Sequence, residues 1–189
     1  SLLEGRLNSK DARARAAAVR VVSHWRDLFL HNEVIAWLDK AVNDEHPRVR
    51  LEAIRAASWV NTSAAAEVAL QAVKYERDYY IDYALEEVIR GLEPVWKSAI
   101  SAGESFAANT PAGIDYILGS IPTADLSKLP KSVPVYLAIL TRPGIREQQR
   151  GVALAGLAAE KNSNELAELI GSIESVAGND IAGANQVIF

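Results

Sequence analysis

The chain has 189 residues, 49% apolar and 23% charged, with a net charge of −4 and a pI near 5.5. That balance suits a globular chain large enough for one well-packed domain or an array of stacked repeats. Cysteine is absent, which excludes disulfides, thiolate metal sites and cysteine catalysis from these residues.

Residues 1–97 carry 14 basic and 15 acidic side chains, and residues 98–189 carry 6 and 9. Neither half has the basic excess expected of a general phosphate-backbone binder. No apolar run approaches the roughly 20 residues of a membrane-spanning helix. The chain opens on Ser1-Leu2-Leu3, with neither an initiator methionine nor a charged-then-apolar leader, and stops on Val187-Ile188-Phe189. It reads as a segment of a longer protein.

The first half predicts three helix pairs. Helix A of the first pair spans about 11–29 and helix B about 33–42. The second pair spans about 47–60 and 64–75, and the third about 78–92 and 94–102. Asn43-Asp44-Glu45-His46-Pro47 is a turn, with Pro47 suited to the first helical position. Asn61-Thr62-Ser63 offers caps for the next helix, and Gly91 and Pro94 are expected to end the third A helix. On the second A helix Val49, Ala53, Ala56 and Val60 form one stripe, and Leu51, Ile54 and Ala57 lie well round the cylinder from it. A lone amphipathic helix needs one such stripe; a stacked helix needs two. The third A helix repeats the stripe as Ile81, Leu85, Val88 and Leu92.

Beyond a connector at 103–110 the pattern is less regular. Helices are expected at about 111–120, 132–140, 145–161 and 164–176, with one helical turn between Pro122 and Pro130. Arg150, Ala153, Leu154 and Leu157 echo the earlier pattern. Residues 178–189 suggest a frayed or truncated helix. A break at 103–110 is one reading; a single helical-repeat domain over 1–189, regular over about 10–102 and less regular over about 110–189, is the simpler one.

The most informative feature is an internal repeat. Arg13, Arg15, Ala18, Arg20 and Ser23 return thirty-five residues later as Arg48, Arg50, Ala53, Arg55 and Ser58. A helical pattern recurring at this period is the mark of a helix-pair solenoid. The run from Asp44 through Ala56 (DEHPRVRLEAIRA) resembles a HEAT repeat of the short bacterial type: Asp and Pro at the turn, then Val-Arg, then Ala at helical spacing. The third pair matches loosely, since Asp82 stands near where Arg50 would fall. The resemblance implies an all-α, right-handed superhelix of antiparallel helix pairs. Residues 78–85 (DYYIDYAL), 92–96 (LEPVW) and 140–144 (LTRPG) are also similar to the helical region of large bacterial proteins that join a sugar-dehydrogenase-type propeller to HEAT-like repeats and a c-type cytochrome segment. That resemblance implies an extracytoplasmic spacer. The haem-attachment pattern CxxCH is absent, so no haem or redox role passes to any residue of this chain.

Arg15 and Arg50 occupy equivalent positions beside the stacking seam. Each is either a groove-facing anion ligand or a structural arginine held by a turn carboxylate, with Asp44, Asp78 and Asp82 the nearest candidates. Tyr75, Tyr79, Tyr80, Tyr83 and Trp96 cluster in sequence among acidic residues. Tyr79, Tyr80, Asp82, Tyr83 and Trp96 are the candidate interaction surface; the competing reading is inter-repeat packing.

His24 and His31 could share a face only on an unbroken helix, and His46 reads as a cap, so no metal site is expected. No nucleophile elbow or phosphate loop is present, and adjacent acids such as Glu86-Glu87 point about 100° apart on a helix. The expectation is a scaffold without catalytic residues or cofactor, binding a protein partner or other domains of its own chain. The alternatives are the dehydrogenase-associated spacer and a nucleic-acid-binding HEAT-like protein. The acidic third repeat argues against the latter.

Overall fold

The computed structural model describes residues 2–102, 104, 106–107 and 110–177. The expected connector at 103–110 lies partly outside these residues, and the expected tail at 178–189 wholly outside. Among the described residues there are twelve α-helices and no strand, an all-α helical-repeat fold, and no helix is long and apolar enough to cross a membrane. The chain divides into two compact units, Ser1–Gly113 and Ile114–Phe189.

The first unit holds α1 (Leu2–Leu7), α2 (Ala12–Trp25), α3 (His31–Val42), α4 (Pro47–Ala57), α5 (Ser63–Leu70), α6 (Tyr79–Gly91) and α7 (Glu93–Ser101). Local chemistry sets the starts. Asp11 accepts from the Arg13 N–H, His46 Nδ1 from Arg48, Thr62 from Ala65 and Asp78 from Ile81, each satisfying a donor at its helix N-terminus. Pro47 opens α4.

The ends differ from expectation in three places. Helix α2 stops at Trp25, and Arg26–Leu28 form a 3-10 turn. The Ser23 hydroxyl donates to the Arg20 carbonyl and the Arg26 guanidinium to the Ser23 carbonyl, so side chains satisfy the last-turn acceptors. Ser58, thirty-five residues on, donates to Arg55 in the same way, and α4 ends at Ala57. His24 and His31 therefore lie on different helices. Helix α5 gives way to a 3-10 turn at Gln71–Lys74. Pro94 lies in the first turn of α7, close to the expected start of the third B helix.

Helices α2, α4 and α6 contact one another in order and form one layer; α3, α5 and α7 form the second. Helix α4 touches α2, α3, α5 and α6, and needs its two stripes for that. Val49, Ala53, Ala56, Val60, Ile54 and Ala57 are all buried, and only Leu51 is partly exposed. The stripe Ile81, Leu85, Val88 and Leu92 is likewise buried. Glu67 of α5 is half-buried. Burial pushes its carboxyl above the ordinary range, opposed by the Ala107 N–H it accepts and reinforced by nearby Glu104.

The second unit is built from α8 (Pro111–Ser120), which begins before the division, α9 (Thr123–Leu126), α10 (Val133–Thr141), α11 (Glu147–Glu160) and α12 (Glu165–Ala177). Helices α10, α11 and α12 pack mutually. Gly144, with φ of +77°, makes the turn between α10 and α11, a conformation costly for residues with a Cβ. Arg142 closes the end of α8 by donating to the Leu118 and Ile121 carbonyls. Arg150 donates in turn to the Arg142 carbonyl, 2.9 Å.

Helix α11 approaches Tyr136 of α10 at Gly156, where an added Cβ would lie 2.4 Å from the ring. Gly156→Ala is therefore expected to destabilise the protein by about 1–3 kcal/mol through overpacking. Gly171→Ala, in open space on α12, is expected to stabilise by about 0.5–1 kcal/mol through helix propensity. Denaturant titration of the two variants checks both signs.

Candidate functional site

The seam of the first unit carries two ladders, both spaced by the sequence repeat. In the first, Arg15 donates to the carbonyls of Ser9 and Lys10, in the turn before its own helix, and grips Asp44 of the following turn through Nε (2.7 Å) and Nη2 (2.8 Å). Arg50 repeats each step. It donates to the carbonyls of Asp44 (2.9 Å) and Glu45 (3.0 Å), then reaches forward to the Glu76 carbonyl (3.3 Å). The difference is the forward acceptor: a carboxylate for Arg15, a backbone carbonyl for Arg50. Arg50 is buried, and its guanidinium lies 5.0 Å from the centre of the Tyr75 ring, a cation–π contact.

Of the three candidate carboxylates, Asp44 alone appears in this seam. Asp78 caps α6, and Asp82 pairs with Arg77 at 2.5 Å. At α6 the charges are thus exchanged: the acid sits on the helix, where Arg15 and Arg50 sit on theirs, and the arginine sits in the turn.

The second ladder is built on Asn8 and Asn43, a pair that the arginine repeat overshadows in the sequence although its offset is the same thirty-five residues. Each amide donates back to a carbonyl four residues earlier, Glu4 and Asp39, both at 2.8 Å. Each side-chain oxygen accepts from the next repeat: Asn8 from the Lys40 ammonium, Asn43 from the Tyr75 hydroxyl at 2.9 Å. Tyr75 is therefore a seam residue.

The candidate interaction residues separate into two groups. Tyr79, Tyr80 and Tyr83 are exposed by 74%, 68% and 57%. Tyr79 meets Tyr80 edge-on with centroids 5.6 Å apart and stacks with Tyr83 at 6.3 Å. Asp82, in its ion pair with Arg77, borders them. Trp96 does not join them. It is buried on α7, and its indole donates to the Ile89 carbonyl at 2.9 Å. Its apolar bulk and single donor are both satisfied inside the core, which corrects its expected place on the surface.

Two clusters were not legible from residue patterns. Trp59 is exposed, with the Arg26 guanidinium 5.8 Å from its ring centre, beside a shallow groove of about 290 Å³ lined also by Phe29 and His31. Glu52, buried within α4, is met by three arginines: Arg20 of α2, and Arg48 and Arg55 of its own helix. The Arg48–Glu52 spacing of four could have suggested a surface pair; nothing local signalled the burial or the reach of Arg20. Among the described residues no group of three or more His, Cys, Asp or Glu side chains could hold a metal ion.

This repeated seam of helix pairs agrees with a family-level comparison in which the model described as HEAT repeats matches residues 1–90. That segment is a HEAT-like repeat. The match ends at the C-terminal end of α6, the helix on which the arginine ladder is reversed. No curated protein and no solved structure matches the chain.

Two predictions test the HEAT seam. Arg50→Ala removes donors from three carbonyls and is expected to cost about 2–4 kcal/mol. Arg48→Ala, at an exposed position whose partner Glu52 keeps two other arginines, is expected to cost under about 1 kcal/mol. Equal melting temperatures for the two variants would contradict the assignment.

Asp44 supplies the second. Burial pushes its carboxyl up, but the Arg15 guanidinium and the His46 N–H together outweigh burial and hold it below the ordinary aspartate value. A lowered folded value means the contribution is complete above the unfolded value of about 3.9 and is lost as pH falls from there through the folded value. Asp44→Asn is therefore expected to be less stable than the parent at neutral pH, with the gap closing below about pH 4, as measured by denaturation across pH.

Proposed function

We infer that the chain is a non-catalytic scaffold that binds a protein partner or another domain of its own polypeptide through the tyrosine surface of α6. The observation that carries this reading is the joint exposure of Tyr79, Tyr80 and Tyr83 on one helical turn. Tyrosine is enriched among the residues that dominate interface energies, because it combines a large apolar face with a hydroxyl and has few rotamers to immobilise. Three such rings, already packed against one another, present a preformed apolar face whose ordering cost was met on folding. A stacked-repeat frame supports it from behind: Ile81, Leu85 and Val88, on the opposite side of α6, are buried in the core.

The reading needs no cofactor and no metal. It favours protein over nucleic acid because the repeated pair of exposed arginines, Arg13 and Arg20 on α2 and Arg48 and Arg55 on α4, does not continue onto α6. On α6 the places matching Arg48 and Arg55, counted from the caps at His46 and Asp78, hold Tyr80 and Glu87.

The test is affinity capture from an extract of the source cells. Tyr79→Ala combined with Tyr83→Ala is expected to leave the helical signal and melting temperature unchanged and to reduce recovery of the captured partner by about tenfold or more. Leu166→Ala, at another exposed apolar position, should recover the partner as the parent does. Equal recovery by all three proteins overturns the tyrosine surface.

A further inference from the structure

The Glu52 cluster asks for an explanation beyond stability. Glu52 is only 3% exposed, and an unpaired charge there would be costly. One guanidinium satisfies that need, and Arg20 alone makes two hydrogen bonds to it, at 2.5 Å through Nη2 and 3.3 Å through Nε. Yet Arg48 also approaches at 3.2 Å and Arg55 at 3.9 Å. Three positive charges converge on one negative charge, against their mutual repulsion. The side chains of Arg20, Arg48 and Arg55 remain 52%, 57% and 62% exposed, so the surplus faces solvent. Arg13, exposed and seven residues before Arg20 on the same helix, adds a fourth cation to this side of the layer.

We propose that the arginines gathered on Glu52 form a docking site for a short carboxylate-rich segment of a partner protein. Charge complementarity chooses the sign of the occupant. The guanidinium fork chooses its chemistry, since its paired donors match a carboxylate in two-point contact. Glu52 acts as a buried peg. It tethers the inner edge of each flexible arginine and lowers the entropy lost when an acid binds the outer edge.

The size of the patch separates a peptide from a duplex. Along α2 and α4 it extends over seven residues, about 10 Å at 1.5 Å per residue, and across the layer it covers two helices before Tyr80 and Glu87 replace the arginines on α6. That accommodates a few carboxylates but not the run of phosphates that gives a duplex its affinity. The site is separate from the tyrosine surface in both residues and chemistry.

The experiment uses the full chain and a fluorescein-labelled deca-glutamate peptide, read by anisotropy at low salt and at about 0.15 M salt. The parent is expected to bind at low salt and to weaken as salt rises. Arg48→Gln with Arg55→Gln keeps Arg20 on Glu52 and is expected to weaken binding about tenfold or more with the fold intact. Lys128→Gln with Arg146→Gln makes the same change in net charge in the second unit and should bind as the parent does. Tyr79→Ala with Tyr83→Ala should also bind as the parent does. Should the double arginine variant melt early, Arg55→Gln alone, the most distant of the three from Glu52, replaces it, with a smaller loss expected. Failure of the parent to bind the peptide at low salt overturns the proposal. So does an equal loss in the arginine and control variants, and so does a short DNA duplex that binds more tightly than the peptide.

Discussion

The first unit depends on a guanidinium that holds two turns at once. A helix-pair stack must bring successive turns together at one edge, and turns carry backbone carbonyls without helical partners. Arg15 and Arg50 solve this in the same way: each donates backward to two carbonyls of its own turn and forward to the next turn. A planar cation with five fixed donors can serve several acceptors from one position, where an ammonium could not hold the same geometry. The asparagine ladder fastens the neighbouring stretch, where B helices give way to turns, through Asn8 and Asn43. Apolar stripes supply most of the driving force for stacking, but they are tolerant of sliding. The ladders fix the register.

Much of this was legible in the sequence because it repeats. The thirty-five-residue offset located the helix pairs, the double stripe of α4 announced a helix packed on several sides, and Arg15 and Arg50 stood out as equivalent positions. The failures have physical causes. The identity of an arginine's acceptor depends on where the next turn falls in space, so Asp44 and the Glu76 carbonyl could not be told apart from spacing alone. Trp96 was placed on the surface because it clusters in sequence with the tyrosines among acidic residues; on a helix that follows a tight turn, its direction is set by the start at Glu93. Helix ends were overextended at Trp25 and Leu70, where serine back-bonding and 3-10 turns compete with the last helical bonds.

Glu52 shows a different limit. From sequence it is an acid between two arginines, outside both apolar stripes of α4. Burial arises from α2, thirty-two residues away, which brings Arg20 over it. The second unit shows the converse. Its helices were placed with little help from the repeat, yet Arg150 and Arg142 use the seam's device, a guanidinium closing the carbonyls of a neighbouring turn or helix end.

The exchange of charges at Arg77 and Asp82 has a consequence for how such a protein can grow. The acid on α6 is occupied by the arginine of its own turn, so that helix extends no cation toward a following turn. A copy of the second helix pair inserted ahead of it would receive Arg50 on its own Asp44-type turn and would offer its own arginine to the Glu76 carbonyl that Arg50 now holds. The same copy placed after α6 would meet a junction with nothing to grip. By the chemistry of the arginine ladder, lengthening by duplication is thus easier ahead of this helix than behind it.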